Sequence, residues 1–180
     1  MPLACTPVLG FAAYSGTGKT TLLKRVIPLL VQRGLRVGLI KRSHHSFQID
    51  QPGKDSYELR QAGASPVMLS SSRRRAIITE HREIREPELS DELAHLDQGG
   101  LDLILVEGFK RERFPKIELH RPVLGTPLLF PADDTIIAIA TDADPAVEPT
   151  IPRLNINDPG EIARFILEDF LAKAAAKPVD

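Results

Sequence analysis

Short apolar runs alternate with amphipathic stretches along the whole chain. Val8-Leu9-Gly10-Phe11-Ala12-Ala13 reads as a buried strand. After it Leu22, Leu23, Val26, Ile27 and Leu30 recur at helical spacing, Gly34 is placed to end the helix, and Pro28 predicts a bend inside it. Val37 to Ile40 predicts a second strand, followed by a polar loop, Lys41 to Gly53, longer than a simple connection needs. Asp55 to Ala62 predicts a short helix ended by Gly63. Two brief strands follow, Val67 to Ser70 and Ala76 to Thr79, around Ser71-Ser72-Arg73-Arg74-Arg75, and then a helix over Glu88 to Leu96. Leu101 to Val106 is the clearest buried strand, with Glu107-Gly108 at its C-terminal end. Ile136 to Ala140 predicts another core strand and Pro152 to Ile156 a weaker one. The last helix has a strong start signal: Asp158 as N-cap, Pro159 at the first helical position and Glu161 behind it. Its apolar face is Ile162, Phe165, Ile166 and Phe170, and the Ala-rich tail, 173–180, is expected to fray.

Strands alternating with helices predict an α/β fold with a mostly parallel sheet and helices on both faces. At 180 residues the chain is expected to form a single domain, 1–180. Its 23 Lys and Arg stand against 24 Asp and Glu, which argues against a general nucleic-acid binder. A single cysteine, Cys5, gives no intramolecular disulfide and no sign of an oxidising compartment. The N-terminus lacks the pattern of a signal peptide, and no apolar run reaches the roughly 18 residues of a membrane span. The expectation is a cytoplasmic protein with neither membrane nor nucleic acid as partner.

Candidate chemistry begins at the first strand-to-helix junction. Ala13-Tyr14-Ser15-Gly16-Thr17-Gly18-Lys19-Thr20 matches the P-loop pattern Gly-x-x-x-x-Gly-Lys-Ser/Thr, with Ala13 in the first position. The backbone N–H groups of Ser15, Gly16, Thr17, Gly18, Lys19, Thr20 and Thr21 are expected to face phosphate oxygens, aided by the positive end of the helix dipole. Lys19 is expected to bridge the outer phosphates and the Thr20 hydroxyl to ligate Mg²⁺. The motif and its context predict a three-layer P-loop NTPase fold.

Such a site needs a carboxylate at the end of a neighbouring strand, and Glu107 is placed there, while Asp102 stands at the opposite end of the same strand. In the long loop Asp50 is a candidate magnesium or water ligand. His44-His45 is weighed as part of a nucleotide or partner surface. Arg73 to Arg75 and the run Lys110-Arg111-Glu112-Arg113 are weighed as sites for a phosphorylated ligand or an acidic partner. An Asn-Lys-x-Asp guanine motif is absent, with Thr141-Asp142 its nearest analogue, and Asp97 to Gly100 reads as a coincidental Asp-x-x-Gly.

The segment Phe11 to Leu22 resembles the start of the molybdopterin-guanine dinucleotide biosynthesis adaptor family, MobB. The resemblance continues through Gly38 to Lys41, His44-His45, Pro52 to Arg60, Ala62 to Ala64 and Leu101 to Lys110, and fades to Asn157-Asp158. Arg42-Ser43 departs from it, standing where the family pattern has His-Thr. The resemblance implies a GTP-binding accessory protein of the SIMIBI class, homodimeric and weakly hydrolytic, that assists the molybdenum cofactor guanylyltransferase and meets molybdopterin or its phosphorylated forms. Carried onto this chain, it implies Ser15 to Thr21 at the phosphates, Thr20 and Glu107 serving magnesium, and the Arg42 to Asp55 loop facing the nucleotide. With the loop reading of Asp50 added, the expected catalytic residues are Lys19, Glu107 and Asp50, and the expected metal ligands Thr20, Glu107 and Asp50. Two other functions share the P-loop, a small-molecule kinase with an arginine lid and a metallochaperone-like GTPase.

Overall fold

The computed structural model describes residues 6–43 and 47–176, so His44-His45 lies outside the described residues. The chain divides into two compact units, one of 1–42 with 88–180 and one of 43–87.

The larger unit is built on β1 (Val8–Ala12), α1 (Lys19–Gln32), β2 (Val37–Lys41), α3 (Leu89–His95), β5 (Leu103–Glu107), β6 (Lys116–His120), β7 (Ile136–Thr141), β8 (Arg153–Asn155) and α4 (Pro159–Phe165). Its strands form one six-stranded sheet in the order β2-β5-β1-β6-β7-β8. Every pairing in it is parallel. Parallel neighbours require crossovers, and the helices that make them cover both faces. Leu22, Leu23, Val26 and Leu30 of α1 and Ile162, Phe165 and Ile166 at the C-terminal helix pack on one face, against Leu9, Phe11, Leu105, Ile117 and Leu119. Leu89 and Leu93 of α3 pack on the other, with Ile104, Val106, Phe109 and Phe114. This is the α/β architecture expected, with helices on either side of a parallel sheet.

Local signals behave as their chemistry requires. The Asp158 carboxylate accepts from the backbone N–H groups of Gly160 and Glu161, which starts α4. The helix then widens over Ile166–Leu171 and ends in Ala172–Ala175, so the first residues of the expected frayed tail are helical, and 177–180 lie outside the described residues. The C-terminal strand of the expected Leu101 to Val106 run begins two residues late. Leu101 and Asp102 belong to the preceding turn, where the Asp102 carboxylate accepts from Arg36 N–H at 2.7 Å.

β6 is a strand that the hydrophobic pattern does not announce. Lys116-Ile117-Glu118-Leu119-His120 alternates apolar with charged residues, yet it lies between β1 and β7 with both faces buried. Ile117 and Leu119 face the α1 core. Period two sends Lys116, Glu118 and His120 to the opposite face, where their exposures are only 1%, 1% and 5%. Partners from distant loops make this possible. Lys116 Nζ lies 3.1 Å from Asp133 and donates to the Glu112 carbonyl, and Glu118 accepts from Leu129 and Phe130 N–H at 2.8 Å each. Burial pushes the Glu118 carboxyl up, against the pull of those two hydrogen bonds.

The smaller unit holds α2 (Asp55–Gln61) and an antiparallel ribbon of β3 (Val67–Ser70) and β4 (Arg75–Ile78). Ser71 closes its turn, with the hydroxyl accepting from Arg73 and Arg74 N–H.

Candidate functional site

The C-terminal ends of parallel strands all open on one edge of a sheet, and in α/β folds that edge carries the ligand crevice. Here β1 delivers the P-loop to it. Gly16 and Gly18 take φ of 81° and 99°, which side-chain-bearing residues rarely adopt, and an added Cβ at either would meet nothing within 4 Å. The space in front of the loop is therefore open. Thr17 is buried, and its hydroxyl donates to the Tyr14 carbonyl at 2.9 Å, which fixes the loop from behind. Gly18 starts α1 without a side-chain cap, and the first turn of that helix carries no acidic residue. Its positive end thus has no cap or carboxylate from its own first turn, and Thr20 and Thr21 are exposed beside it.

Lys19 folds back over the loop and donates from Nζ to the Ala13 carbonyl at 3.3 Å. Burial lowers its pKa; Glu107 opposes that, and Lys110 and Lys41 reinforce it. Glu107 ends β5, the direct neighbour of β1, in register with Phe11. The same register sets it beside Lys41 of β2, whose Nζ lies 3.3 Å from the Glu107 carboxylate. The open cradle, the uncapped helix start, the Lys19 ammonium and the Glu107 carboxylate fit a polyphosphate with a divalent cation.

Other candidates are distributed differently. Asp50 lies in the smaller unit with its side chain 3% exposed, and both its oxygens accept from Arg60. The hydrogen bonds from that guanidinium hold its carboxyl below the usual range, although burial works the other way. The carboxylate expected to be open to a cation is thus committed to an ion pair. Arg60 also reaches Glu80 at 2.5 Å and lies over the Tyr57 ring.

The basic run at 110–113 is not one cluster. Lys110 lies over the Tyr14 ring, Glu112 accepts from Leu89 N–H at the start of α3, and Arg113 pairs with Asp134 at 2.9 Å. Thr141 is buried with its hydroxyl on the Ala143 carbonyl, and Asp142 is ion-paired with Arg121. The same guanidinium donates to the Thr17 carbonyl at 3.1 Å and to Asn157 Oδ1 at 3.0 Å. Arg121 so ties the P-loop to the ends of β7 and β8. Asp97 serves only a local turn, accepting from Gly99 N–H.

Arg121 was not marked by any motif, and Lys41 and Lys110, although inside the segments that carry the family resemblance, were not singled out there as groups facing the P-loop. Each stands at or just after the C-terminal end of a strand, and that position is the signal by which they could have been found.

A family model described as "Molybdopterin guanine dinucleotide synthesis protein B" matches residues 8–142. The chain belongs to the MobB family. A MobB-type protein of Escherichia coli K12, named molybdopterin-guanine dinucleotide biosynthesis adapter protein, is 47% identical over 163 residues, covering 90% of this chain and 92% of that protein. A protein of the same name from Haemophilus influenzae is 45% identical over 161 residues, covering 89% and 87%. The crystal structure of a molybdopterin-guanine biosynthesis protein B (mobB) superposes with a TM-score of 0.68 at 27% identity, covering 92% of this chain and 99% of that one. The MobB span matched here contains the P-loop, Lys41, Glu107, Lys110 and Arg121, and ends at Asp142.

Proposed function

We propose that this chain is an adapter protein of molybdopterin guanine dinucleotide biosynthesis, working in the cytoplasm, that binds GTP with Mg²⁺ and hydrolyses it slowly. On this reading it assists the guanylyltransferase that forms the dinucleotide. The observation that carries the proposal is the open P-loop cradle in register with Glu107, in a chain of the MobB family. The N–H groups of Ser15 to Thr21 would bind the phosphates, and Lys19 would exchange the Ala13 carbonyl for phosphate oxygen. The Thr20 hydroxyl and the Glu107 carboxylate would hold magnesium, which supplies charge neutralisation when bound. A role for Asp50 at that ion would require it to leave Arg60, so the proposal does not rest on it. Guanine is favoured by family membership alone.

The protein is proposed to act as a homodimer through its ribbon. Met68 and Ile77 are 57% and 54% exposed and stand opposite each other across β3 and β4. A two-stranded sheet has unpaired edges and is marginal by itself, which suits pairing with a second copy. Ile77→Glu is expected to shift sedimentation from dimer to monomer.

Calorimetric titration with GTP and ATP, each with Mg²⁺, tests the ligand, and a stronger isotherm for GTP is expected. Glu107→Gln should weaken the magnesium-dependent affinity by roughly 10- to 100-fold, by analogy with other groups that orient a metal site. Equal hydrolysis by mutant and parent would remove Glu107 from the site. In a reconstituted assay at limiting substrate, the protein should raise guanylyltransferase output; no stimulation would overturn the adapter reading.

A further inference from the structure

Two lysines besides Lys19 surround the P-loop, and an unusual turn delivers one of them. After Glu107 two successive residues take positive φ, Gly108 at 104° and Phe109 at 51°. For a phenylalanine that conformation is strained and persists only where the surroundings impose it. Here they do. The Phe109 ring is 3% exposed among Leu89, Leu93, Ile104, Val106 and Phe114, with the Arg42 guanidinium 5.8 Å from its centroid. At Gly108 a Cβ would lie 2.7 Å from that of Arg42, so the close approach of β2 and β5 excludes any side chain.

The outcome of the turn is that Lys110 lies against the P-loop, its Nζ 4.9 Å from the centroid of the Tyr14 ring. Among the described residues Lys110 has no carboxylate partner, whereas Lys41 is paired with Glu107 at 3.3 Å. Three ammonium groups thus approach one cradle, with Glu107 to offset them. Such convergence is relieved when an anion enters.

We infer that Lys110 contacts the terminal phosphate of a bound nucleoside triphosphate and makes the site prefer triphosphate to diphosphate. Tyr14 is a positioning residue that holds the ammonium on its ring face, beside the cradle. The inference rests on the nucleotide reading above and adds to it. Lys110 follows Glu107 by three residues, on the side of the P-loop where that reading puts the cation and the outermost phosphate. Neither group moves the inner phosphates, which belong to the loop N–H groups.

The test is titration of the full chain, with Mg²⁺, against GTP, a non-hydrolysable GTP analogue and GDP. Lys110→Met is expected to weaken both triphosphates about tenfold, as loss of one charge-assisted contact does, and to leave GDP within about twofold. Lys110→Arg should restore most of the preference. Tyr14→Phe, which keeps the ring, should match the parent, and Tyr14→Leu should show part of the loss. Equal weakening of triphosphate and diphosphate, or an unchanged ratio, overturns the inference. Lys19→Ala separates the two levels. If it weakens triphosphate binding while Lys110→Met keeps the parent ratio, the terminal-phosphate role alone fails. If Lys19→Ala binds as the parent does, the nucleotide reading fails and this inference with it.

Discussion

In the unit of 1–42 and 88–180, Leu9, Leu103, Leu105, Ile117 and Ile139 are fully buried between two helical layers. Among the described residues of 43–87 no hydrophobic side chain is buried, and the one buried residue is the carboxylate Asp50. Around it Arg60 joins Asp50, Glu80 and the Tyr57 ring, while Phe47, Leu59, Met68 and Ile77 are all more than half exposed. One unit is held by apolar area removed from water, the other by a directional polar knot. The difference teaches how labour is divided. A rigid sheet holds the candidate phosphate site in place, and a unit that cannot hide its own apolar side chains presents them as surface.

The largest effects should separate the two kinds of cohesion. Leu105→Ala removes a fully buried side chain from the sheet core and is expected to cost about 2–5 kcal/mol in urea unfolding. Ile77→Ala in the ribbon should cost under about 0.5 kcal/mol in the monomer. Similar costs at the two positions would break the comparison.

Lys19→Ala comes next, at about 1.5–3 kcal/mol of triphosphate affinity, roughly 10- to 150-fold. Because the cradle is part of the larger unit, amide exchange within 43–87 should stay at parent rates. Unchanged affinity by calorimetry would remove Lys19 from the grip.

Acid should open the smaller unit first. Asp50 has a depressed pKa when folded, so its ion pair with Arg60 contributes stability in full above the ordinary carboxylate pKa of about 4. That contribution is lost as pH falls through the lower folded value. Pepsin cleavage should therefore begin within 43–87 in this window. Arg60→Met should admit cleavage there by a neutral protease at pH 7 and flatten the acid dependence; simultaneous digestion of both units would show that the knot is not what holds 43–87.

The smallest effect concerns encounter. Arg73, Arg74 and Arg75 are exposed at the ribbon tip. Reversing Arg73 and Arg74 to Glu should slow association with the proposed guanylyltransferase partner and flatten its salt dependence, with nucleotide affinity unchanged, because such charge is screened over about 8 Å at physiological ionic strength. Parent-like association at every salt concentration would leave the tip as solvated surface.

Much of this was legible in the residues. Apolar runs marked β1, β2, β5 and β7, helical periodicity marked α1, and the Asp158-Pro159 start marked α4 to the residue. The P-loop and Glu107 were legible for the same reason, since each is tied to the end of a run whose burial is encoded locally. Asp50 was legible as a loop carboxylate and nothing more, because its partner Arg60 is ten residues on and belongs to a helix. The division into units of 1–42 with 88–180 and of 43–87, and the lack of a buried hydrophobic side chain among the described residues of 43–87, were not legible, because chain length carries no information about either.

The sequence by itself determined the alternation of strands and helices, the P-loop motif and the acidic strand end beside it, because hydrophobic period and motif spacing act over a few residues. Tertiary structure alone decided that Lys116-Ile117-Glu118-Leu119-His120 is a central strand, since its charges are buried only by virtue of Asp133 and the Leu129 and Phe130 amides. It alone decided that Lys41, Lys110 and Arg121 gather around the P-loop. Those residues are scattered along the chain, and what unites them is the parallel sheet, which brings the C-terminal ends of β2, β5 and β6 to the edge where β1 delivers Gly16 to Thr20.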